Sequence, residues 1–292
     1  MNIISFDIEE WYIEKMFYGA RTQMYDKYDY YLSNILDVLD KSNTKGTFFC
    51  VGKLAVDFPD VVKKIAKRGH EIGCHSNEHL WLTKMDYKRL DYDTHEAIAA
   101  LEDVSGRKVK SYRAPAFSIG NDNKWALEVL AKNGIERDAS IFPAERDFGG
   151  FAAFPADKPS LVSYNGVSIK EFPICTTNLF GKILAYSGGG YFRFFPYNFI
   201  KDEMRKSEYA ISYFHIADLL HNTTSIMTRE EYETYFKEKG TFRNRVKRYI
   251  KANLGTKGAF DKMQKLIEQM DYVNLEQADN QIDWNEIYKV EI

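Results

Sequence analysis

No apolar stretch in this sequence is long enough to span a bilayer. Its first apolar run, Ile3-Ile4-Ser5-Phe6, meets Asp7 at once, which is unlike a secretory leader. Cysteine is scarce. Cys50, Cys74 and Cys175 form an odd count with no metal-binding spacing and read as reduced core residues, so a cytoplasmic setting is expected. An excess of one charge is also missing: the formal net charge of −2 gives no global pull toward nucleic acid. Internal repeats, low-complexity tracts and a clear linker are absent as well.

What is present is a globular composition, 45% hydrophobic and 28% charged over 292 residues, enough for one large α/β domain or two small ones. Aromatics are plentiful, with 20 Tyr and 20 Phe, which permits sugar-stacking surfaces without proving them. Short β-prone runs predict strands at Ile3–Phe6, Gly46–Val51, His70–Cys74, Val109–Arg113, Glu136–Ala139, Val167–Phe172 and Ala210–Phe214. Between them, helical periodicity predicts Tyr28–Leu39, Pro59–Arg68, Tyr87–Val104, Lys124–Asn133 and Tyr197–Lys206. Gly69 and Gly134 stand where left-handed helix caps are expected. This alternation implies an α/β fold with a parallel sheet or barrel. After about residue 221 the pattern turns mainly helical. The expected division is therefore a domain over 1–220 and a helical C-terminal extension over 221–292 packed on it.

Polar residues collect at the expected strand ends. Asp7 and Glu9 follow the first strand, and His75 and His79 follow the third. Arg113 closes the fourth, Asp138 the fifth and His215 the last. Carboxyl ends of parallel strands converge on one rim, where active sites form. Two histidines four apart fit one face of a helical turn and can share a metal ion, with a carboxylate third and water fourth. Duller readings stand beside this one. The acids could cap helices, His215 could be a core histidine, Arg113 a packing arginine, and Asp138 the cap of the next turn. Glu78 reads as solvated, and His70, His95 and His221 as non-catalytic.

Several motifs in order resemble the polysaccharide deacetylases of carbohydrate esterase family 4, the NodB-homology group. They are Ser5-Phe6-Asp7, Thr47-Phe48-Phe49, Gly69-His70-Glu71-Ile72-Gly73 leading into His75-Ser76-Asn77-Glu78-His79, Arg113-Ala114-Pro115, and His215. A narrower likeness, to deacetylases of exopolysaccharide gene clusters, lies in Asp7-Ile8-Glu9-Glu10-Trp11, Ser140-Ile141-Phe142-Pro143, Glu171-Phe172-Pro173, Gly188-Gly189-Gly190-Tyr191-Phe192-Arg193 and Phe242-Arg243.

The resemblance implies a distorted seven-stranded (β/α) barrel and a metal-dependent hydrolase that removes N-acetyl groups from an amino-sugar oligo- or polysaccharide. It assigns Glu9, His75 and His79 to the metal and Asp7 to the general base. Arg113 would pair with Asp7. His215, oriented by Asp138, would protonate the leaving amine, and a backbone N–H near Ala116 would face the oxyanion. The ligand set, without thiolate, suits Zn²⁺, with Co²⁺, Mn²⁺ or Ni²⁺ able to replace it. Two departures stand out: Ile8 fills the place of the usual second aspartate, so Glu9 must substitute, and Ala116 stands where many relatives carry an aromatic. Alternative functions are hydrolysis of a small cyclic amide or imide, and glycan binding without catalysis.

Two segments bear on partners. The glycine run at 188–190 with its aromatics reads as a sugar platform or as a loop tucked onto the domain. Phe242–Leu254 carries Arg243, Arg245, Lys247, Arg248 and Lys251 around an apolar stripe, which suits either packing on the domain or peripheral contact with a membrane or lipid-linked glycan.

Overall fold

The computed structural model describes residues 1–19, 22–146, 149–221, 225–236 and 238–292. Its strands in chain order are β1 (Asn2–Ile8), β2 (Thr47–Cys50), β3 (Glu71–Cys74), β4 (Ser111–Tyr112), β5 (Arg137–Asp138), β6 (Ser160–Tyr164), β7 (Val167–Glu171), β8 (Thr176–Leu179), β9 (Lys182–Ala185), β10 (Ala210–His215), β11 (Tyr272–Val273) and β12 (Tyr288–Glu291). Seven of them lie side by side and parallel in the order β10-β1-β2-β3-β4-β5-β7. These are the seven strands the sequence predicts. Their faces are covered by helices that include Met24–Lys41, Pro59–Lys67 and Tyr87–Ser105, so Ile3, Ile4, Phe6 and Ile8 of β1 are all fully buried. Phe6 stacks on Phe48 at 4.8 Å and leans on Phe214 at 5.8 Å. Each such ring stabilises the core by roughly 1.5–3 kcal/mol.

The barrel expectation is met only as an α/β fold with a mostly parallel sheet. Among the described residues the hydrogen-bonded path is open. Beyond β7 it continues through antiparallel β6 to β12, and it ends at β10 on the other side. Side chains span part of the gap between β7 and β10. Tyr209 Oη donates to the Pro173 carbonyl at 2.8 Å, and Ser187 Oγ donates to that of Ile211 at 2.7 Å. The chain leaves β7 into the β8–β9 hairpin, a separate two-stranded sheet, and so provides no ladder there.

Residues beyond 221 add helices Arg229–Phe236, Phe242–Asn253, Ala259–Gln269 and Leu275–Gln281. They also add strands: β11 pairs with the start of β1, and β12 with β6. Helix Phe242–Asn253 buries none of its residues, and Phe242 and Ile250 are more than half exposed.

Parallel register sets the site. Asp7 lies opposite His215 on one side and Phe49 on the other, and Cys74, the residue before His75, lies opposite Tyr112, the residue before Arg113. The rim of carboxyl ends is thereby assembled from β1, β3, β4 and β10.

Candidate metal centre and cleft

Glu9 follows β1 and heads helix Glu10–Tyr18. One of its oxygens, Oε2, lies 2.5 Å from His79 Nε2 and 3.4 Å from His75 Nε2. The imidazole rings are 5.1 Å apart. One ligand atom from each of the three residues falls within 4.8 Å of the others. His75 Nδ1 donates to the Arg113 carbonyl at 2.8 Å, which orients the ring with Nε2 facing Glu9. Glu9 Oε2 is buried without a conventional hydrogen-bond donor. An N, N, O set converging in this way suits a borderline divalent metal. The residues present therefore fit the metal.

The histidines do not sit on a helical turn. After β3 the chain runs as an irregular loop in which Ser76 (φ 59°) and His79 (φ 55°) take the left-handed conformation. The loop is held by its backbone. Ser76 and Asn77 carbonyls accept from Gly52 and Lys53 N–H at 2.9 and 3.0 Å, and Asn77 N–H donates to Asp93 Oδ2 at 2.8 Å. Gly52 is needed at this crossing, because a Cβ there would lie 2.7 Å from Ala97 Cα. Glu78 is not simply solvated: it reaches Arg89 at 2.6 Å and lines the cleft.

Asp7 and Arg113 form a buried pair beside this cluster. Arg113 Nη1 donates to Asp7 Oδ1 at 2.8 Å and Nε to the Ala139 carbonyl at 3.1 Å, while the guanidinium lies over Phe49 at 4.3 Å. His215 Nε2 points between the acids, 3.8 Å from Asp7 Oδ2 and 3.9 Å from Glu9 Oε1. Burial alone would raise the Glu9 carboxyl, but the facing His79 and His215 outweigh it and hold it well below the usual carboxylate range. Burial disfavours the His215 imidazolium, yet Glu9, Asp218 and Asp7 together lift it well above the usual imidazole value.

Asp138 is not the residue beside His215, which corrects the expected contact. That partner is Asp218, whose Oδ2 accepts from His215 Nδ1 at 2.9 Å and from its backbone N–H at 3.1 Å. Asp138 lies fully buried next to Glu171. It accepts from Ser140 Oγ at 2.5 Å, while Glu171 accepts from Ile141 N–H at 3.0 Å. Burial raises both carboxyls, so the pair shares one proton. Sequence reasoning missed Asp218. Its one signal was the spacing of three from His215 at a helix start, the pattern of an N-terminal cap.

These groups open into a cavity of about 680 Å³ whose walls include Trp81, Phe117, Tyr213 and Phe236. Ala116 also lines it, at φ 57°. Gly189 and Gly190 form part of the wall, at the start of helix Gly189–Phe194, and a Cβ on Gly188 would overlap the Tyr213 ring. The glycine run thus serves close packing against the cleft floor. His221 Nδ1 lies 3.1 Å from Thr256 Oγ1, and all three cysteines are buried and free.

Residues 23–137 match the family model described as polysaccharide deacetylase, and residues 139–280 match one described as a domain of unknown function (DUF3473). A peptidoglycan-N-acetylglucosamine deacetylase of Bacillus cereus is 40% identical over 98 residues, 32% of this chain and 34% of that protein. A bifunctional xylanase/deacetylase of Pseudobutyrivibrio xylanivorans is 33% identical over 90 residues, 30% of this chain and 15% of that protein. The chain thus spans about a third or less of these curated relatives. Among solved structures, one described as a polysaccharide deacetylase from Mycobacterium smegmatis superposes with a TM-score of 0.63 at 18% identity, covering 100% of this chain and 92% of that one. A CE4 family pseudoenzyme from Bacillus anthracis gives 0.50 at 14% identity, covering 100% and 69%. At such identities the structures speak for the fold alone. Residues 23–137 thus match a polysaccharide deacetylase domain, and the superposed structures share the fold of the chain.

Proposed function

We propose that the protein is a metal-dependent hydrolase that removes N-acetyl groups from an amino-sugar glycan. The observation that carries this reading is the buried Glu9 Oε2 within 3.4 Å of two imidazole Nε2 atoms, with Asp7 and His215 within 4 Å of each other beside it. Glu9, His75 and His79 would hold the ion, Zn²⁺ or in its place Co²⁺, Mn²⁺ or Ni²⁺. When bound, it supplies a Lewis acid that polarises the amide carbonyl and acidifies water.

The remaining chemistry falls to the chain's own groups. Asp7, held by Arg113, takes a proton from the attacking water as its oxygen bonds to the acetyl carbon. The Ala116 backbone N–H faces the oxygen that gains charge. As the C–N bond breaks, His215 Nε2 gives its proton to the departing amine, leaving acetate and a free amino sugar. The aromatic walls of the cavity suit a sugar ring. The narrower motifs, including Gly188–Arg193, support a place in surface-polysaccharide or exopolysaccharide assembly.

The test is acetate release from N-acetylglucosamine oligosaccharides. Chelation should abolish it and divalent metal restore it. Binding of the oligosaccharide by a protein that takes up no metal and releases no acetate would instead make this chain a glycan-binding relative, and turnover of small cyclic amides alone would make it an amidohydrolase of another kind.

A further inference from the structure

His215 stands at the end of a chain of contacts that leads away from the cleft into the C-terminal helices. Asp218 Oδ2 holds its Nδ1, and Asp218 Oδ1 lies 3.2 Å from Arg193 Nε. The other end of that guanidinium is occupied too. Arg193 Nη1 donates to the Ala252 carbonyl at 2.8 Å and Nη2 to that of Lys251 at 2.9 Å. These carbonyls belong to the last turn of helix Phe242–Asn253, where backbone acceptors lack partners within the helix and the dipole favours a cation.

A second cation runs the opposite way. Lys262, from helix Ala259–Gln269, donates to the carbonyls of Phe192, Arg193 and Phe195 at 2.6, 3.2 and 2.8 Å, closing the end of helix Gly189–Phe194. Each side therefore caps the other. Gly255, at φ 71°, lies against this interlock, and a Cβ there would overlap the Arg193 carbonyl oxygen. A guanidinium hydrogen-bonded to two carbonyls has little freedom left, and the carboxylate it pairs with ionically is fixed on the face that orients the imidazole.

We propose that Arg193 and Asp218 are positioning residues for His215, and that the C-terminal helices act on the cleft through them. This rests on the deacetylase reading, in which His215 delivers the proton to the amine. It gives the C-terminal helices Phe242–Asn253 and Ala259–Gln269 a task in the reaction: aiming the acid.

The experiment compares two substrates. An N-acetylglucosamine oligosaccharide needs a proton on its leaving amine, whereas 4-nitrophenyl acetate loses a leaving group that needs none. Asp218→Asn should lower kcat on the oligosaccharide by about 10²-fold and Arg193→Gln by about 10-fold, with KM and bound metal unchanged and ester hydrolysis near wild type. Arg193→Lys should recover part of the loss. Gly255→Ala, outside the cleft, should lower the same kcat by displacing Arg193. In a His215→Ala background the Arg193 and Asp218 substitutions should cost nothing further, because residues acting through one group are not additive. Equal losses on amide and ester, or losses that add to His215→Ala, would show a merely structural role and overturn the proposal. If His215→Ala collapses turnover while Arg193→Gln and Asp218→Asn match wild type, only this inference fails. A His215→Ala variant as active as wild type removes the deacetylase reading and this inference with it.

Discussion

The two ends of the parallel strands carry comparable amounts of buried charge and treat it in opposite ways. At the amino ends, Glu71 takes Ser111 Oγ and Arg137 on one oxygen, and Thr47 Oγ1 and the Glu276 N–H on the other. Arg137 uses all three nitrogens, on Ser111, Glu71 and Asp279, and Lys170 completes Asp279. Every atom of that cluster is satisfied. At the carboxyl ends, Glu9 Oε2 and Arg113 Nη2 are buried without conventional hydrogen-bond partners, and the Asp138–Glu171 pair is held together by one shared proton. A finished polar network holds a fold in one register, while an unfinished one costs stability and waits for something to bind. The difference locates the working end without reference to any relative.

The largest expected effect breaks the finished end. Arg137→Met leaves Glu71 and Asp279 without their shared cation and should cost about 3–5 kcal/mol in urea unfolding, with turnover per folded molecule retained. A loss below about 1 kcal/mol would mean that the cluster is not what secures the strands.

Next comes the unfinished end. Glu9→Gln removes a negative charge and a ligand atom together and should weaken metal binding on the order of 10³-fold. The metal-free variant should melt within a few degrees of metal-free wild type, since the carboxylate trades its attraction to His79 and His215 against the cost of its own burial. Metal titration and thermal melts decide the matter, and a clearly lower melting point would show that Glu9 belongs with the structural charges.

A smaller effect sharpens the comparison through pH. His70, buried just before β3, accepts the Gly46 N–H on Nδ1 at 3.2 Å, and burial, aided by nearby Lys45, pushes its pKa down from 6.5 to about 4. Because its folded value is depressed, the neutral ring stabilises the fold above pH 6.5. That contribution is lost as pH falls toward 4, when the unfolded chain takes up a proton the native state refuses. Wild type should lose about 2–3 kcal/mol more than His70→Gln across that window. Parallel stability curves for the two proteins would remove this histidine from the account.

The smallest expected effect is the control. Phe180, at the tip of the β8–β9 hairpin, is 99% exposed, so Phe180→Ser should move stability by less than about 0.5 kcal/mol and leave both ends untouched. A larger shift would mean that the hairpin packs on something.

Much of this was legible in the sequence. The seven parallel strands announce themselves as short apolar runs, and helices Pro59–Lys67 and Tyr197–Lys206 fall where the periodicity puts them. Strands β6, β8, β9, β11 and β12 went unread, because a strand of two to five residues carries little local pattern. Asp7, Glu9, His75, His79, Arg113 and His215 do meet in space, since strand ends converge whatever lies between them. Position at a strand end fixes a residue's height, though not the direction of its side chain. Asp138 turns toward Ser140 and Glu171 for that reason, and the place beside His215 goes to Asp218. The helical turn expected for the histidines failed because left-handed residues at Ser76 and His79 bring the two rings together instead. Arg193 could not be read at all. Its meaning depends on carbonyls nearly 60 positions away.

The pairing of β1 has a consequence for the order of events during synthesis. Its partner on one side, β2, emerges from the ribosome soon after it, but β10 follows about 200 residues later and β11 later still. At 5–20 residues per second the nascent chain carries Ile3, Ile4 and Phe6 on an open strand edge for roughly 10–40 s. The hydrophobic strand that ends in the cleft's two acids is thus the part of the chain most in need of protection while translation continues.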